Sequence, residues 1–103
     1  MERFEHKVVV VTGAASGLGK ATALAFAARG ATLALCDVNA QGLADTAAEI
    51  AEVSVAPFVR TVDLADPGAC KGFITEVATS LGGIDVLVNV AGVLGFTHVA
   101  DVT

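Results

Sequence analysis

The chain has 103 residues, 54% of them hydrophobic, and a formal net charge of −5. That length suits one small domain rather than two, and an acidic balance without a cluster of Lys or Arg argues against nucleic acid and anionic membranes as partners. No apolar run approaches the roughly 20 residues a spanning helix needs, and the opening Met1-Glu2-Arg3-Phe4-Glu5-His6 lacks the form of a signal peptide.

The expected location is therefore the cytoplasm, with Cys36 and Cys70 as reduced thiols. They stand in no metal-ligand spacing, and two small buried hydrophobes is the plain reading of both. The composition holds one notable absence: there is no Tyr and no Trp.

Four valines, Val8 to Val11, read as a short buried strand. Thr12-Gly13-Ala14-Ala15-Ser16-Gly17-Leu18-Gly19 follows, with glycines at spacing G-x-x-x-G-x-G. From Leu18 to Gly30 apolar residues recur at helical spacing (Leu18, Ala21, Leu24, Ala25, Ala28), and Gly30 is a plausible stop. Ala31 to Asp37 reads as a second buried strand ending in a carboxylate. Asn39 can cap a second helix, Ala40 to Glu52, whose Leu43, Ala47, Ile50 and Ala51 form one face. Gly42 weakens that helix by about 1 kcal/mol relative to Ala, so its first turn is expected to fray.

Pro57 stands at the start of a third strand, Phe58 to Val62, where a missing N–H is tolerable. Asp66 followed by Pro67 is a cap and first-turn proline. The third helix then carries Cys70, Phe73, Ile74, Val77 and Leu81 inward and stops at Gly82-Gly83. Strand four spans Ile84 to Val90 and leads into Ala91-Gly92, and Val93 to Thr103 reads as a loop. His98 lies there without a nucleophile or metal partner and reads as a loop histidine.

The order β-α-β-α-β-α-β requires a parallel sheet. With strand order 3-2-1-4, helices one and two cover one face and helix three the other.

Strand, glycine turn and helix N-terminus in succession build a pyrophosphate site. One glycine turns the backbone sharply, one lets it approach an anion, and one lets helix and strand pack closely. Flavin proteins and methyltransferases place glycines there too. Asp37 is the second element: a carboxylate at the end of strand two can accept both ribose hydroxyls of an adenosine. It also disfavours a 2′-phosphate, since like charges about 4 Å apart repel by roughly 4 kcal/mol at an effective dielectric of 20. Neither Ser16 nor Val38 supplies a compensating cation, so NAD is favoured over NADP.

These residues resemble the short-chain dehydrogenase/reductase family, whose T-G-x-x-x-G-x-G hallmark is matched by Thr12 to Gly19. The family's Asn-Asn-Ala-Gly appears as Asn89-Val90-Ala91-Gly92, with Val90 in place of the Asn that helps brace the sheet. Its adenine-contacting Asp corresponds to Asp63, followed by Leu64. The resemblance implies a Rossmann-type, doubly wound α/β fold and cofactor contacts from Gly13, Ser16, Gly17, Leu18, Gly19, Asp37, Val38, Asp63, Leu64, Asn89, Ala91 and Gly92. Thr12 would tie the first turn to that of strand four. Plainer readings stand beside these: a solvated turn acid for Asp63, a strand-end turn residue for Asn89, an ordinary β-branched residue for Thr12.

The resemblance further implies hydride transfer between a nicotinamide and an alcohol or carbonyl, and a homo-oligomeric full-length form. The family's chemistry rests on a Tyr-x-x-x-Lys pair and a Ser after strand four. This chain has no Tyr, and Ser16, Ser54 and Ser80 all precede strand four. Ala100-Asp101-Val102-Thr103 resembles the lead into the family's fourth helix. The expectation is a cofactor-binding N-terminal part truncated before that helix, with strand four an unpaired edge. A complete, non-catalytic nucleotide-binding or interaction module is the alternative, and a methyl-donor-binding domain a weaker one.

Overall fold

A computed structural model describes residues 3–15 and 17–90. Ser16, Ala91, Gly92, His98 and the segment 93–103 lie outside the described residues. The elements are β1 (Val8–Thr12), α1 (Gly17–Ala28), β2 (Thr32–Asp37), α2 (Ala40–Val53), β3 (Phe58–Thr61), α3 (Pro67–Leu81) and β4 (Val86–Asn89).

The four strands form one parallel sheet in the order β3-β2-β1-β4. Successive side chains of a strand point to opposite faces, so the valines of β1 divide between two cores. Val9 and Val11 join Leu33, Leu35, Leu43 and Ile50 under α1 and α2. Val8 and Val10 join Ala34, Cys36, Phe73 and Val77 under α3. Both faces of β1 are thus sealed, which explains an apolar run where a half-exposed strand would alternate. Fully burying each such side chain contributes about 1.5–3 kcal/mol.

Helix boundaries follow the caps. The Asn39 side chain accepts from Gly42 N at 3.0 Å, and Asp66 Oδ1 accepts from Gly68 N and Ala69 N at 2.9 and 3.2 Å. Gly82 ends α3 with a φ of 85°. β4 is shorter than its apolar run, and among the described residues it pairs with β1 alone. Asp85, just before it, exchanges two bonds with Val8: its N–H donates to Val8 O at 2.9 Å and its Oδ2 accepts from Val8 N at 2.8 Å. On the opposite edge, Arg60 of β3 pairs with Glu76 of α3 and stacks 4.1 Å over the Phe58 ring.

Two helix faces differ from the sequence expectation. In α1 the inward stripe is Gly19, Ala23 and Ala27. Leu18, Ala21, Ala25 and Ala28 are exposed, and only Leu24 of that set packs against the core. The helix lies so close to the glycine turn that the smallest residues face it, and size-weighted periodicity selects the wrong stripe. In α2 the buried residues are Leu43, Thr46 and Ile50, with Ala51 exposed. Nor does Gly42 loosen the first turn, since α2 is helical from Ala40. A Cβ on Gly42 would lie 2.9 Å from Ala15 Cβ and 3.0 Å from Ala15 O, so glycine there permits close approach.

Candidate functional site

The C-terminal ends of the four strands converge on one rim of the sheet, and between β1 and β4 the strand order reverses. Ligands of open parallel sheets bind in that crevice. Thr12, Gly13, Asp37, Asp63 and Asn89 all stand on or just past these strand ends.

The turn after β1 is fixed from several sides. Gly13, at a φ of 73°, and Ala14 both donate their N–H to Cys36 O, at 2.9 and 3.2 Å. Ala15 donates to Asp37 Oδ2 at 2.9 Å. These three N–H groups are thereby occupied. The donors an anion could use lie further on, in the first turn of α1, whose N–H groups have no partner within the helix. Gly17 opens that turn at a φ of +57°, and a Cβ built on it would meet nothing within 4 Å. The chain there is bare backbone facing open space, which suits the approach of a pyrophosphate. Gly19 has the opposite surroundings: a Cβ on it would lie 1.8 Å from Gly13 O. Leu18, between them, is 71% exposed on the rim.

Asp37 links the turn to the next loop, since its Oδ1 accepts from Asn39 N at 3.0 Å while Oδ2 holds Ala15. A carboxylate has about four acceptor sites. Two therefore remain open to further donors. Val38 beside it is exposed and brings no charge.

Asp63 is exposed after β3, and its Oδ1 accepts from Ala65 N at 2.9 Å, the local turn bond of a strand-end acid. Leu64 packs against the α3-side core, and its carbonyl lies 3.7 Å from Cys70 Sγ. At the end of β4 the Thr12 hydroxyl donates to Asn89 Oδ1 at 2.7 Å, so the tie between the first and fourth strand ends is present. Val90 donates its N–H to Thr12 O at 3.2 Å and packs its side chain against the α1/α2-side core. Ser16, Ala91 and Gly92 lie outside the described residues.

Sequence reasoning missed Thr46, whose buried hydroxyl donates to Ala14 O at 2.9 Å. It also missed Asp85. A polar residue at a core-facing position of an otherwise apolar helix stripe was the available signal for Thr46.

The surroundings of both thiols beneath the rim favour their protonated form. Burial, then the nearby Cys70 and Asp37, push the Cys36 thiol up to about 12, although a bond from the Gly13 backbone opposes this. Burial, then Asp66 and Asp63, raise Cys70. Unfolded thiols ionise near pH 8.5. Above that pH the unfolded chain loses a proton that folded Cys36 keeps, so stability falls as pH rises toward 12. One such group costs at most about 1.4 kcal/mol per pH unit. Chemical denaturation of Cys36→Ala from pH 8 to 11 should show a shallower decline than the unsubstituted protein. An identical slope would contradict this placement of the thiol.

Among the described residues no three or more His, Cys, Asp or Glu side chains gather to hold a metal ion. No helix there is long and apolar enough to cross a membrane.

Comparison with known proteins gives concordant matches. The family described as short chain dehydrogenase matches residues 7–103. Dehydrogenase/reductase SDR family member 7B of Bos taurus is 47% identical over 95 residues, covering 85% of this chain and 29% of that protein. The crystal structure of a dehydrogenase/reductase from Sinorhizobium meliloti 1021 superposes with a TM-score of 0.84 at 35% identity, over 88% of this chain and 36% of that one. A xylitol dehydrogenase solved with bound NAD+ gives a TM-score of 0.79 at 35% identity, over 84% of this chain and 33% of that one. The chain thus spans about a third of the length of these proteins.

Proposed function

Because the chain belongs to the short-chain dehydrogenase family, we propose that it forms the NAD-binding part of an oxidoreductase acting on an alcohol or carbonyl substrate. The observation that carries this reading is the pairing of a bare glycine turn at the N-terminus of α1 with the Asp37 carboxylate. Gly17 exposes backbone where a pyrophosphate would lie, and Asp37 retains two acceptor sites for the ribose hydroxyls. The similarity to an NAD+-bound xylitol dehydrogenase is consistent with it.

In this assignment the first-turn N–H groups of α1, at Gly17, Leu18 and Gly19 and with them Ser16, hold the pyrophosphate. Gly13 shapes the turn, and Asp37 and Val38 border the adenosine ribose. Asp63 and Leu64 meet the adenine, and Asn89, with Ala91 and Gly92, completes the cofactor contacts. The bound nicotinamide supplies the hydride acceptor or donor. The chain's own residues bind and orient; with no Tyr among its 103 residues, it has no family Tyr-x-x-x-Lys pair to move the substrate proton. A homo-oligomer in the cytoplasm belongs to the same proposal.

Reading the gene past codon 103 and assaying its whole product for alcohol-dependent reduction of NAD tests this function. A downstream Tyr-x-x-x-Lys and formation of NADH in preference to NADPH are expected. A stop codon there, with a well-folded product that reduces neither cofactor, would overturn the enzymatic reading.

A further inference from the structure

One stripe of α2, which begins three residues beyond Asp37, touches the glycine turn and α1 at three points. Gly42 lets Ala15 approach where a Cβ would collide. One turn later, the Thr46 hydroxyl donates to Ala14 O at 2.9 Å. One turn further, Glu49 forms an ion pair with Lys20 of α1. Positions 42, 46 and 49 share a helix face by their spacing of four and three. Their partners, residues 14, 15 and 20, bracket the backbone whose N–H groups would receive the pyrophosphate.

Thr46 is the telling member. It is 0% exposed, the one buried polar side chain among the described residues, and its neighbours Leu43 and Ile50 are apolar core. Valine would fill the same volume, so packing does not demand a hydroxyl. A mid-helix Thr commonly bonds the carbonyl one turn back in its own helix, whereas this one reaches a different segment. The Ala14 carbonyl needs that donor, because Ala14 is itself fully buried and a buried carbonyl without a partner is costly. The N–H groups of Gly13, Ala14 and Ala15 are already held by β2 and Asp37. The bond from Thr46 fixes the remaining face of the turn.

We propose that Thr46 is a positioning residue for the nucleotide site, setting the orientation of the turn through the Ala14 carbonyl and so presenting the first-turn N–H groups of α1. This rests on the NAD-binding reading above. Two readouts keep the two apart: amide exchange at Gly13, Ala14 and Ala15 in the free protein, and the NAD dissociation constant.

Thr46→Val should accelerate exchange at those amides about tenfold relative to Phe73 and Val77 of α3, and weaken NAD binding about tenfold, as loss of a buried hydrogen bond implies. Thr46→Ser, which keeps the hydroxyl, should restore both to within about twofold. Equal acceleration at the turn and in α3 would mean general destabilisation and would overturn the proposal. So would exchange and NAD affinity in Thr46→Val that match the unsubstituted protein. Failure of the unsubstituted protein to take up NAD would instead sink the cofactor reading, and with it the nucleotide-positioning role of Thr46.

Discussion

Gly19→Ala is expected to abolish nucleotide binding and to cost about 3 kcal/mol or more of stability, beyond the ordinary range for overpacking. The new methyl group would sit 1.8 Å from Gly13 O and 2.7 Å from its carbonyl carbon. Both are backbone atoms, so no side-chain rotation relieves the clash. Either α1 lifts from the sheet, losing the contacts of Ala23 and Ala27, or the turn moves, breaking the bonds of Gly13 and Ala14 to Cys36 O. Gly17→Ala is the informative contrast. Open space surrounds that position, and the penalty is the positive φ alone, about 1–2 kcal/mol. Thermal unfolding should therefore rank Gly19→Ala far below Gly17→Ala. Similar midpoints for the two would contradict the close approach of α1 to the turn.

Asp37→Ala is expected to weaken NAD binding by at least about tenfold to a hundredfold while bringing NAD and NADP toward equal affinity. Each bond from a ribose hydroxyl to a carboxylate contributes roughly 1.5–3 kcal/mol, and tenfold in affinity is about 1.4 kcal/mol. The carboxylate also opposes a 2′-phosphate by a Coulomb repulsion of roughly 4 kcal/mol, and its removal relieves NADP of that cost. The substitution has a second effect, because Asp37 holds Ala15 N and Asn39 N. Some affinity for both cofactors is lost as the turn loosens. The ratio of the two affinities is therefore the decisive quantity. Asp37→Asn removes the charge and keeps an acceptor, so it should collapse the NAD preference with less harm to stability. A preference that survives in both variants would place cofactor selection elsewhere.

The architecture was legible because its signals are local and repeated. Val8 to Val11 announce a strand buried on both faces, Asn39 and Asp66-Pro67 mark helix starts, and strand–helix alternation permits few topologies. The sheet order β3-β2-β1-β4 and the division of helices between its faces follow that pattern. What escaped was set by distances between segments remote in sequence. Which side of α1 faces inward depends on how near its backbone comes to Gly13, so Gly19, Ala23 and Ala27 face the core and Leu18 does not. Gly42 reads as a weak point in a helix until Ala15 is seen against it. Thr46 drew no notice in the sequence, because its partner, Ala14 O, lies on a segment 32 residues away. At the candidate site the glycine turn and Asp37 were readable from motif spacing, and the tie of Thr12 to the end of strand four was implied by the family resemblance. The hydrogen bonds that occupy the N–H groups of Gly13, Ala14 and Ala15 were not readable.

Calorimetric titration of the unsubstituted protein with NAD and with NADP is the most direct test of a cofactor site built on the glycine turn and Asp37. NAD should bind, and at least about tenfold more tightly than NADP, as even a partly screened repulsion between the 2′-phosphate and the Asp37 carboxylate requires. Equal affinities, or no heat of binding with either cofactor, would contradict it.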